Sequence, residues 1–282
     1  MPIFAHVKKL FHISILLPLL MLGSCIRPTT LDPGVDAEII ANCLLVYPAG
    51  YQELSLQFPT SLSGEKGKEI TDADATATLS DDTTGESLGQ FQYVGSSEWF
   101  HTRQLVPGHS YSLTVQVKGR PTITASTTVP TMNWVEPTTD FHYSVENPGD
   151  GVLWIYALAD GFDNSQRILV DEIGTDSEYA DPFNLIGDSP YHRRFLRMEP
   201  VPASFHLDLD TDKFPSGRFV FLFCSKEYDL YLRNVVSYQI RLLIDDVTTL
   251  YDSSNIYNNI QGGIGIFGAA ITCSQLWQPK HE

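Results

Sequence analysis

The chain has 282 residues, of which 34 are acidic and 18 basic, giving a formal net charge of −16 at pH 7. A body this acidic repels phosphate groups, which argues against electrostatic binding of nucleic acid or of lipopolysaccharide phosphates. The length allows two modest domains with hydrophobic cores, and the four cysteines form no CxxC or Cys/His cluster with zinc spacing.

Residues 1–24 have the pattern of a secretory signal peptide. Lys8 and Lys9 precede an apolar run, Leu10 to Leu22, that is too short for a membrane span. The run ends in Leu22-Gly23-Ser24-Cys25, which resembles a bacterial lipobox. We therefore expect cleavage before Cys25 and lipidation of its thiol, which would anchor the protein to a membrane. The alternative is an ordinary signal peptide in which the cysteine is incidental.

The next segments are expected to be a lipidated tether, 25–36, and an immunoglobulin-like β-sandwich domain, 37–130. The tether is rich in threonine and proline. The domain is predicted from short runs of alternating apolar and polar residues that are separated by turn residues. The predicted strands are Glu38–Val46, Gln52–Phe58, Ile70–Leu79, Leu88–Val94, the alternating run Tyr111–Val117, and Thr122–Val129.

Beyond the predicted boundary, Pro130–Pro137, the pattern predicts a second β-rich domain, 131–282. Val152–Ala159 and Phe219–Cys224 are continuous apolar runs, which are typical of strands buried on both faces. Phe205–Leu209 alternates like a half-buried strand.

The same domain should contain long loops and one sizeable helix. Residues 160–200 carry many aspartates and prolines, which indicate loops. Ser225 is a candidate N-cap for a helix near 225–242 with apolar residues at a helical period. The predicted fold class is therefore mainly β.

Near the C-terminus, Gly263, Gly265 and Gly268 have the G-x-G-x-x-G spacing of a dinucleotide-binding loop. Such a loop needs a helix that begins within it and an acidic residue about twenty positions later. The chain ends first, and the residues between the glycines favour a strand. We therefore predict no cofactor, and we interpret the glycines as strand positions where backbone or a large aromatic comes close or φ is positive.

This segment also resembles a known family. Asn255 to Gly268 matches the C-terminal pattern Y-S-N-I-x-x-G-x-G-I-F-G of the Bacteroidota lipoproteins of the DUF4249 family, and Pro107–Val115 and Thr124–Pro130 fit the family as well. The family commonly has proline and small residues where this chain has Asp245-Asp246-Val247. The motif positions in this chain are Tyr257, Asn259, Ile260, Gly263, Gly265, Ile266, Phe267 and Gly268.

The resemblance extends over nearly all of the chain after Cys25. It implies an envelope lipoprotein, often encoded near TonB-dependent outer-membrane transporters. It supplies no established catalytic residues.

Other candidate sites have weaker support. Asp208, Asp210 and Asp212 have the spacing of a calcium loop, but Lys213 replaces its turn glycine and Phe219 its bidentate glutamate. Gly187-Asp188-Ser189 is similar to the nucleophile block of GDS-type lipases, but its place in a mid-chain loop favours a turn.

The remaining candidate ligand residues have structural interpretations that we favour. The histidines show no H-E-x-x-H or H-x-H pairing, which leaves metal ligation without support. Cys43 and Cys224 lie in apolar runs, and we expect no disulfide. The tryptophans could stack on sugars or a hydrophobic ligand, although core packing is the commoner use. The histidines are His101, His109, His142, His192 and His206, and the cysteines are Cys43, Cys224 and Cys273. The aromatic residues are Trp99-Phe100, Trp134, Trp154 and Trp277.

The leading hypothesis is a non-enzymatic outer-membrane lipoprotein that serves as a ligand- or partner-binding accessory of a TonB-dependent nutrient uptake system. Its expected partners are the membrane, through the N-terminal lipid, a TonB-dependent transporter, and a small-molecule or glycan ligand of unknown identity. The first alternative is an adhesin or fimbrial subunit that assembles by strand donation. The second is a hydrolase that uses Ser189.

Overall fold

The computed structural model describes residues 38–58, 69–131, 135–148, 151–160, 167–168, 173–183, 195–243 and 257–277. Within these ranges the chain forms eighteen strands and one helix. The protein is therefore mainly β, as the alternating sequence pattern predicts. The signal peptide, the lipobox with Cys25, and the tether lie outside the described residues.

The first eight strands build an immunoglobulin-like sandwich. They are β1 (Ile40–Tyr47), β2 (Gln52–Gln57), β3 (Ala75–Asp81), β4 (Glu86–Gln90), β5 (Gln92–Gly95), β6 (Glu98–His101), β7 (Ser110–Val117) and β8 (Ile123–Thr128). One sheet has the order β4-β3-β7-β8, and the other includes β1-β2-β6-β5. Apolar side chains at alternate positions of β1, β2, β3 and β7 are buried in one shared core. Alternation predicts this arrangement because successive strand residues point to opposite faces.

Two predicted strands of this half need correction, and one strand was not predicted. The strand expected over Ile70–Leu79 begins only at Ala75, because residues 72–74 form a turn in which the Thr71 carbonyl accepts the Asp74 and Ala75 amides. The strand expected over Leu88–Val94 is two strands, β4 and β5, which belong to different sheets. Buried Phe91 lies at the crossover. Strand β6 has only four residues, too few to show a period, and was missed.

Ten further strands and the helix follow. They are β9 (Val135–Thr139), β10 (His142–Val145), β11 (Val152–Ala159), β12 (Arg167–Ile168), β13 (Ile173–Thr175), β14 (Ala180–Phe183), β15 (Phe195–Met198), β16 (Ser204–Leu209), β17 (Gly217–Cys224), α1 (Lys226–Leu243) and β18 (Ile264–Trp277). Strands β13, β16, β10 and β9 form a four-stranded sheet in that order. The apolar runs of β11 and β17 pair antiparallel along their full length.

The long loops predicted over 160–200 are only partly correct. Strands β12, β13, β14 and β15 fall in this region, and all four residues of β15 are buried. The aspartates and prolines of this region favoured loops, and the sequence gives no sign that Arg197 of β15 is buried, because a buried arginine needs a partner. The physical reason for its burial is an ion pair, described below.

The largest sheet has ten strands and is continuous across the predicted domain boundary. Its order is β14-β15-β11-β17-β18-β1-β2-β6-β5, with β12 paired to β11. The join is made by β18, which pairs antiparallel with β17 and parallel with β1. The division at residue 130 stays a prediction about folding units, since hydrogen bonds connect the two halves through this sheet.

Asp81, at the end of β3, holds the turn that follows it and ties that turn to a second loop. Its Oδ1 accepts the backbone N–H groups of Thr83 and Thr84 at 2.9 and 3.1 Å, and its Oδ2 lies 2.8 Å from Nδ1 of His109. Burial alone would raise the pKa of this carboxyl, but the hydrogen bond with His109 and those from the backbone lower it below its usual value.

We expect the loss of the Asp81 contacts to lower the free energy of unfolding at acid pH. Because the folded pKa is depressed, their contribution is complete above the unfolded pKa, about 3.9, and is lost as pH falls through the folded pKa. Asp81→Asn should lower the free energy of unfolding by about 1–2 kcal/mol at pH 7. Urea denaturation at pH 7 and at pH 3 measures this difference, which should shrink at the lower pH. A difference that is the same at both would contradict the assignment.

Candidate functional site

The C-terminal glycine motif, residues 257–268, lies at the junction of β18, β1 and α1. Gly265, Ile266, Phe267 and Gly268 begin β18, whereas Tyr257, Asn259, Ile260 and Gly263 belong to the segment just before it. Phe267 is fully buried, and Ile260 and Ile266 are nearly so. The second half of the motif therefore lies in the centre of the largest sheet, and the first half forms the segment that leads into it.

Each glycine of the motif sits where a side chain would collide with a neighbour. A Cβ at Gly263 would be 2.7 Å from the carbonyl oxygen of Ile39, and one at Gly265 would overlap the carbonyl oxygen of Ala41. A Cβ at Gly268 would be 2.8 Å from the Cβ of Tyr228 on α1. Gly265 also has a φ of +129°, which L-residues rarely adopt. The glycines thus permit β18 to approach β1 on one side and the helix on the other.

Asn259 acts as a clamp on the start of β18. Its amide nitrogen donates to the carbonyl of Phe267 at 2.8 Å, and its Oδ1 accepts the Phe267 N–H at 2.9 Å. The amide also donates to the carbonyl of Ser126 in β8, at 3.4 Å. This side chain therefore replaces a strand partner for one residue of β18 and contacts the second sheet of the sandwich.

Asn259→Asp tests the clamp with the smallest change in shape. The carboxylate can accept the Phe267 N–H but cannot donate to the Phe267 carbonyl, so two acceptors would face each other. We expect a loss of about 1–3 kcal/mol in the free energy of unfolding, measured by urea denaturation. Asn258→Asp is the matched control, because Asn258 Oδ1 only accepts the Ile260 amide and its own amide donates at a long 3.4 Å. Equal losses in the two variants would contradict the clamp.

Ser225 fixes the N-terminus of α1 to both sheets. Its Oγ accepts the Tyr228 N–H at 3.3 Å, which is the predicted N-cap, and also the Ala269 N–H at 3.1 Å. Thr127 of β8 donates to the same Oγ at 3.2 Å and contacts Glu227 at 3.1 Å. The start of the helix is therefore held in one position relative to β18 and β8.

A buried ion pair holds α1 against the C-terminal part of the large sheet. Arg197 of β15 donates from Nε and Nη2 to the two carboxylate oxygens of Asp229, at 2.8 and 2.9 Å. Trp154 Nε1 of β11 donates to the same carboxylate at 2.9 Å. Arg197 also pairs with the half-exposed Glu199. Both Arg197 and Asp229 are buried, so each neutralises a charge that water does not reach.

A groove of about 490 Å³ opens beside α1, over the face of β1 and β2 opposite to the sandwich core. Its walls include Tyr228 and Tyr231 of the helix and Tyr51 at the start of β2. Tyr51 is 56% exposed and leans on the ring of Phe100, with 5.4 Å between ring centroids. The volume lies within the range of small-molecule sites, roughly 300–1,000 Å³.

The groove combines aromatic surface with a few polar groups. Asn42, Glu53 and Ser55 bring an amide, a carboxylate and a hydroxyl to it, and none of its described lining residues is basic. An anionic ligand would meet only Glu53 as a charged partner, so these groups suit a neutral or cationic ligand. The sequence does not reveal this site, because Tyr51 is more than 170 positions away from Tyr228 and Tyr231 and the three follow no short motif.

The other sequence candidates are dispersed. Asp210 Oδ1 accepts the amides of Asp212 and Lys213 in a local turn, and the described residues contain no group of three or more His, Cys, Asp or Glu placed to hold a metal ion. Gly187-Asp188-Ser189 lies outside the described residues, as do Trp134 and His192. Trp99, Trp154 and Trp277 are buried, so they serve the core rather than an exposed ligand.

The three described cysteines are free thiols in separate places. Cys43 and Cys224 are buried and Cys273 is partly buried. Burial raises the pKa of all three thiols above the usual value, which keeps them protonated. Within the described residues, no helix is long and apolar enough to span a membrane.

Comparison with known proteins does not assign the chain to a family. No protein-family model matches it, and no curated protein does. Among solved structures, it is similar to the chicken CNTN1 FN1-FN3 domains, with 11% identity and a TM-score of 0.25 over 86% of this chain and 67% of that one.

Two bacterial surface proteins are similar at the same low level. The collagen binding domain of Erysipelothrix rhusiopathiae surface protein RspB has 12% identity and a TM-score of 0.17, covering 84% of this chain and 96% of its own. Enterococcus faecalis MSCRAMM ACE has 7% identity and a TM-score of 0.20, with coverages of 86% and 95%. TM-scores this low transfer no function.

Proposed function

We propose that the protein is a lipid-anchored outer-membrane lipoprotein that binds a ligand or partner in the groove beside α1, as an accessory of a TonB-dependent uptake system. The observation that carries the proposal is the Leu22-Gly23-Ser24-Cys25 motif ahead of a strand-built body. Between Cys25 and the start of β1 the chain can reach at most about 50 Å when fully extended. A lipid on Cys25 would therefore hold the groove within reach of a membrane protein.

The groove supports a binding role and limits the chemical class of ligand that would fit it. The tyrosine rings suit the apolar face of a sugar ring or an organic cation, and the amide, carboxylate and hydroxyl groups can fix hydroxyl groups by hydrogen bonds. The net charge of −16 adds a long-range repulsion for anions. A neutral or cationic small molecule is thus the favoured ligand class.

Cys25→Ser tests the anchor. The native protein, expressed in its own host, should incorporate a fatty-acid label and sediment with membranes, whereas the variant should lose both the label and membrane retention. A wild-type protein that carries no label and is released into the medium would overturn the proposal.

Gentle detergent extraction tests the partner and the groove. We expect a large β-barrel protein to co-purify with the wild type. Tyr51→Ala should reduce the amount of this protein that co-purifies, or reduce the amount of small-molecule ligand that remains bound to the chain. Tyr179→Ala is the matched control, because Tyr179 is also an exposed tyrosine, at 43%, but does not line the groove. Equal effects of the two substitutions would count against the groove, and absence of any barrel protein would count against the uptake role.

The fimbrial alternative fits the structure less well. Assembly by strand donation requires a protease to cut after a basic residue and so release an N-terminal strand. The first basic residue after Arg27 is Lys66. A cut there would remove both β1 and β2, which lie between β18 and β6, and would divide the largest sheet.

A further inference from the structure

The four-stranded sheet brings together two histidines that are far apart in sequence. His142 of β10 and His206 of β16 are directly opposite each other in the antiparallel register. Their rings are stacked, with 4.2 Å between centroids and 26° between planes. The neighbouring residues Tyr143, Phe205 and Leu207 point into the core, so the two histidines share the opposite, solvent-facing side of the sheet.

The backbone hydrogen bonds show why the two side chains are so close. The Leu207 amide donates to the Phe141 carbonyl at 3.0 Å, one step beyond the histidine pair. The His206 amide points the other way and donates to Oδ1 of Asp176 at 2.7 Å. His142 and His206 are therefore a non-hydrogen-bonded pair, the type in which opposite side chains of an antiparallel ladder are nearest.

One of the two rings is already held in a metal-binding tautomer. His142 Nδ1 lies 3.0 Å from the carbonyl oxygen of Asp140. A carbonyl only accepts hydrogen bonds, so Nδ1 carries the proton and, in the neutral ring, Nε2 carries the lone pair. Histidine ligands in metal sites commonly donate their other N–H to a backbone carbonyl in this way. The His206 ring makes no hydrogen bond within the described part of the chain, so it is available to turn.

We propose that His142 and His206 form a two-histidine site for a divalent transition metal ion such as Ni²⁺, Cu²⁺ or Zn²⁺. Imidazole nitrogen suits these ions, at about 2.0–2.1 Å from the metal. Two ligand nitrogens on one ion are then at most about 4 Å apart, and ring centroids 4.2 Å apart are close enough for one nitrogen of each ring to reach that separation. Rotation of the His206 ring about χ2, a torsion with a broad energy profile, would turn its lone pair towards an ion bound at Nε2 of His142, with water in the remaining positions.

The charge around the pair favours a cation. Asp208 follows His206 on the same face of β16, and it faces Gly174, which has no side chain, across the β13–β16 pair. The net charge of −16 adds a general attraction for cations. This site is distinct from the groove beside α1 and does not depend on the function proposed for that groove.

Isothermal titration of the full-length protein with Ni²⁺ alone tests the site. The protein carries no histidine tag and is purified in detergent. We expect one saturable site, and a loss of affinity of at least about tenfold in His142→Gln and in His206→Gln. The double variant should bind Ni²⁺ no more weakly than either single variant, because one substitution already removes the two-histidine chelate. Binding should also weaken as pH falls, since protons compete for the same nitrogens.

The control variant is His281→Gln, which removes a histidine from another part of the chain and should leave the affinity unchanged. Thermal unfolding without metal should be the same in all variants, because both rings lie on the surface side of the sheet. Absence of Ni²⁺ binding by the wild type would overturn the site, and so would equal affinity in the wild type and the two single variants.

Discussion

Gly265→Ala should lower the free energy of unfolding by about 3–5 kcal/mol, a loss large enough to leave little folded protein. Two costs combine at this position. The backbone φ of +129° is strained for any residue with a Cβ, and the new Cβ would overlap the carbonyl oxygen of Ala41, its partner in the parallel β1–β18 ladder. Because β18 joins the two halves of the largest sheet, the strain cannot be relieved without separating β1 from β18.

Gly95→Ala is the control that separates these two costs. Gly95 has a similar φ of +115°, but a Cβ there would meet nothing within 4 Å. We expect it to cost only the backbone term, about 1–3 kcal/mol. Urea denaturation of both variants measures the difference. If Gly95→Ala were as damaging as Gly265→Ala, the close approach of β1 and β18 would not be the reason for the glycine.

Asp229→Ala should cost about 3–5 kcal/mol, since it leaves the buried guanidinium of Arg197 without its main partner. Burial by itself would lower the pKa of Arg197, but its hydrogen bonds with Asp229 and then Glu199 raise the pKa above the usual value, so the charge persists in the fold. The substitution also leaves the buried Trp154 Nε1 without its acceptor. We expect α1 to loosen from the sheet before the remainder unfolds.

Two further variants distinguish a buried charge from a general packing defect. Glu199→Ala removes the other partner of Arg197, but Glu199 is 49% exposed and should cost less than about 1 kcal/mol. The double variant Arg197→Met with Asp229→Leu replaces both charges by apolar groups and should regain most of the loss. Urea denaturation and the far-ultraviolet helix signal would follow the effects. A double variant as unstable as Asp229→Ala would contradict this account.

Local sequence patterns predicted the elements of this fold better than their connections. Alternation located β1, β2, β7 and β8, and Ser225 located the helix, because burial of one strand face and capping of a helix depend on nearby residues. The crossover at Phe91 was not predicted, because alternation of apolar and polar residues does not indicate which sheet a strand joins. The burial of Arg197 was also missed, since its partner Asp229 lies on another element.

The candidate sites show the same limit more strongly. The motif glycines were interpreted from their own spacing as points of close approach, and the structure places backbone or Tyr228 against each of them. The groove tyrosines and the stacked pair His142 and His206 have no such spacing. The histidines become neighbours through sheet register, and Tyr51 meets the two helix tyrosines through the packing of α1 on the sheet. A single sequence reveals neither.

The parallel pairing of β1 with β18 has a consequence for how the chain reaches its destination. Ile40 and Ile264 are paired although almost the entire body of the protein separates them in sequence. Contacts between such distant segments form late, because the loop between them must first be closed at an entropic cost. During the proposed export from the N-terminus through a membrane channel, β1 would lack this partner until β18 had passed through. The largest sheet could therefore not be completed before that point.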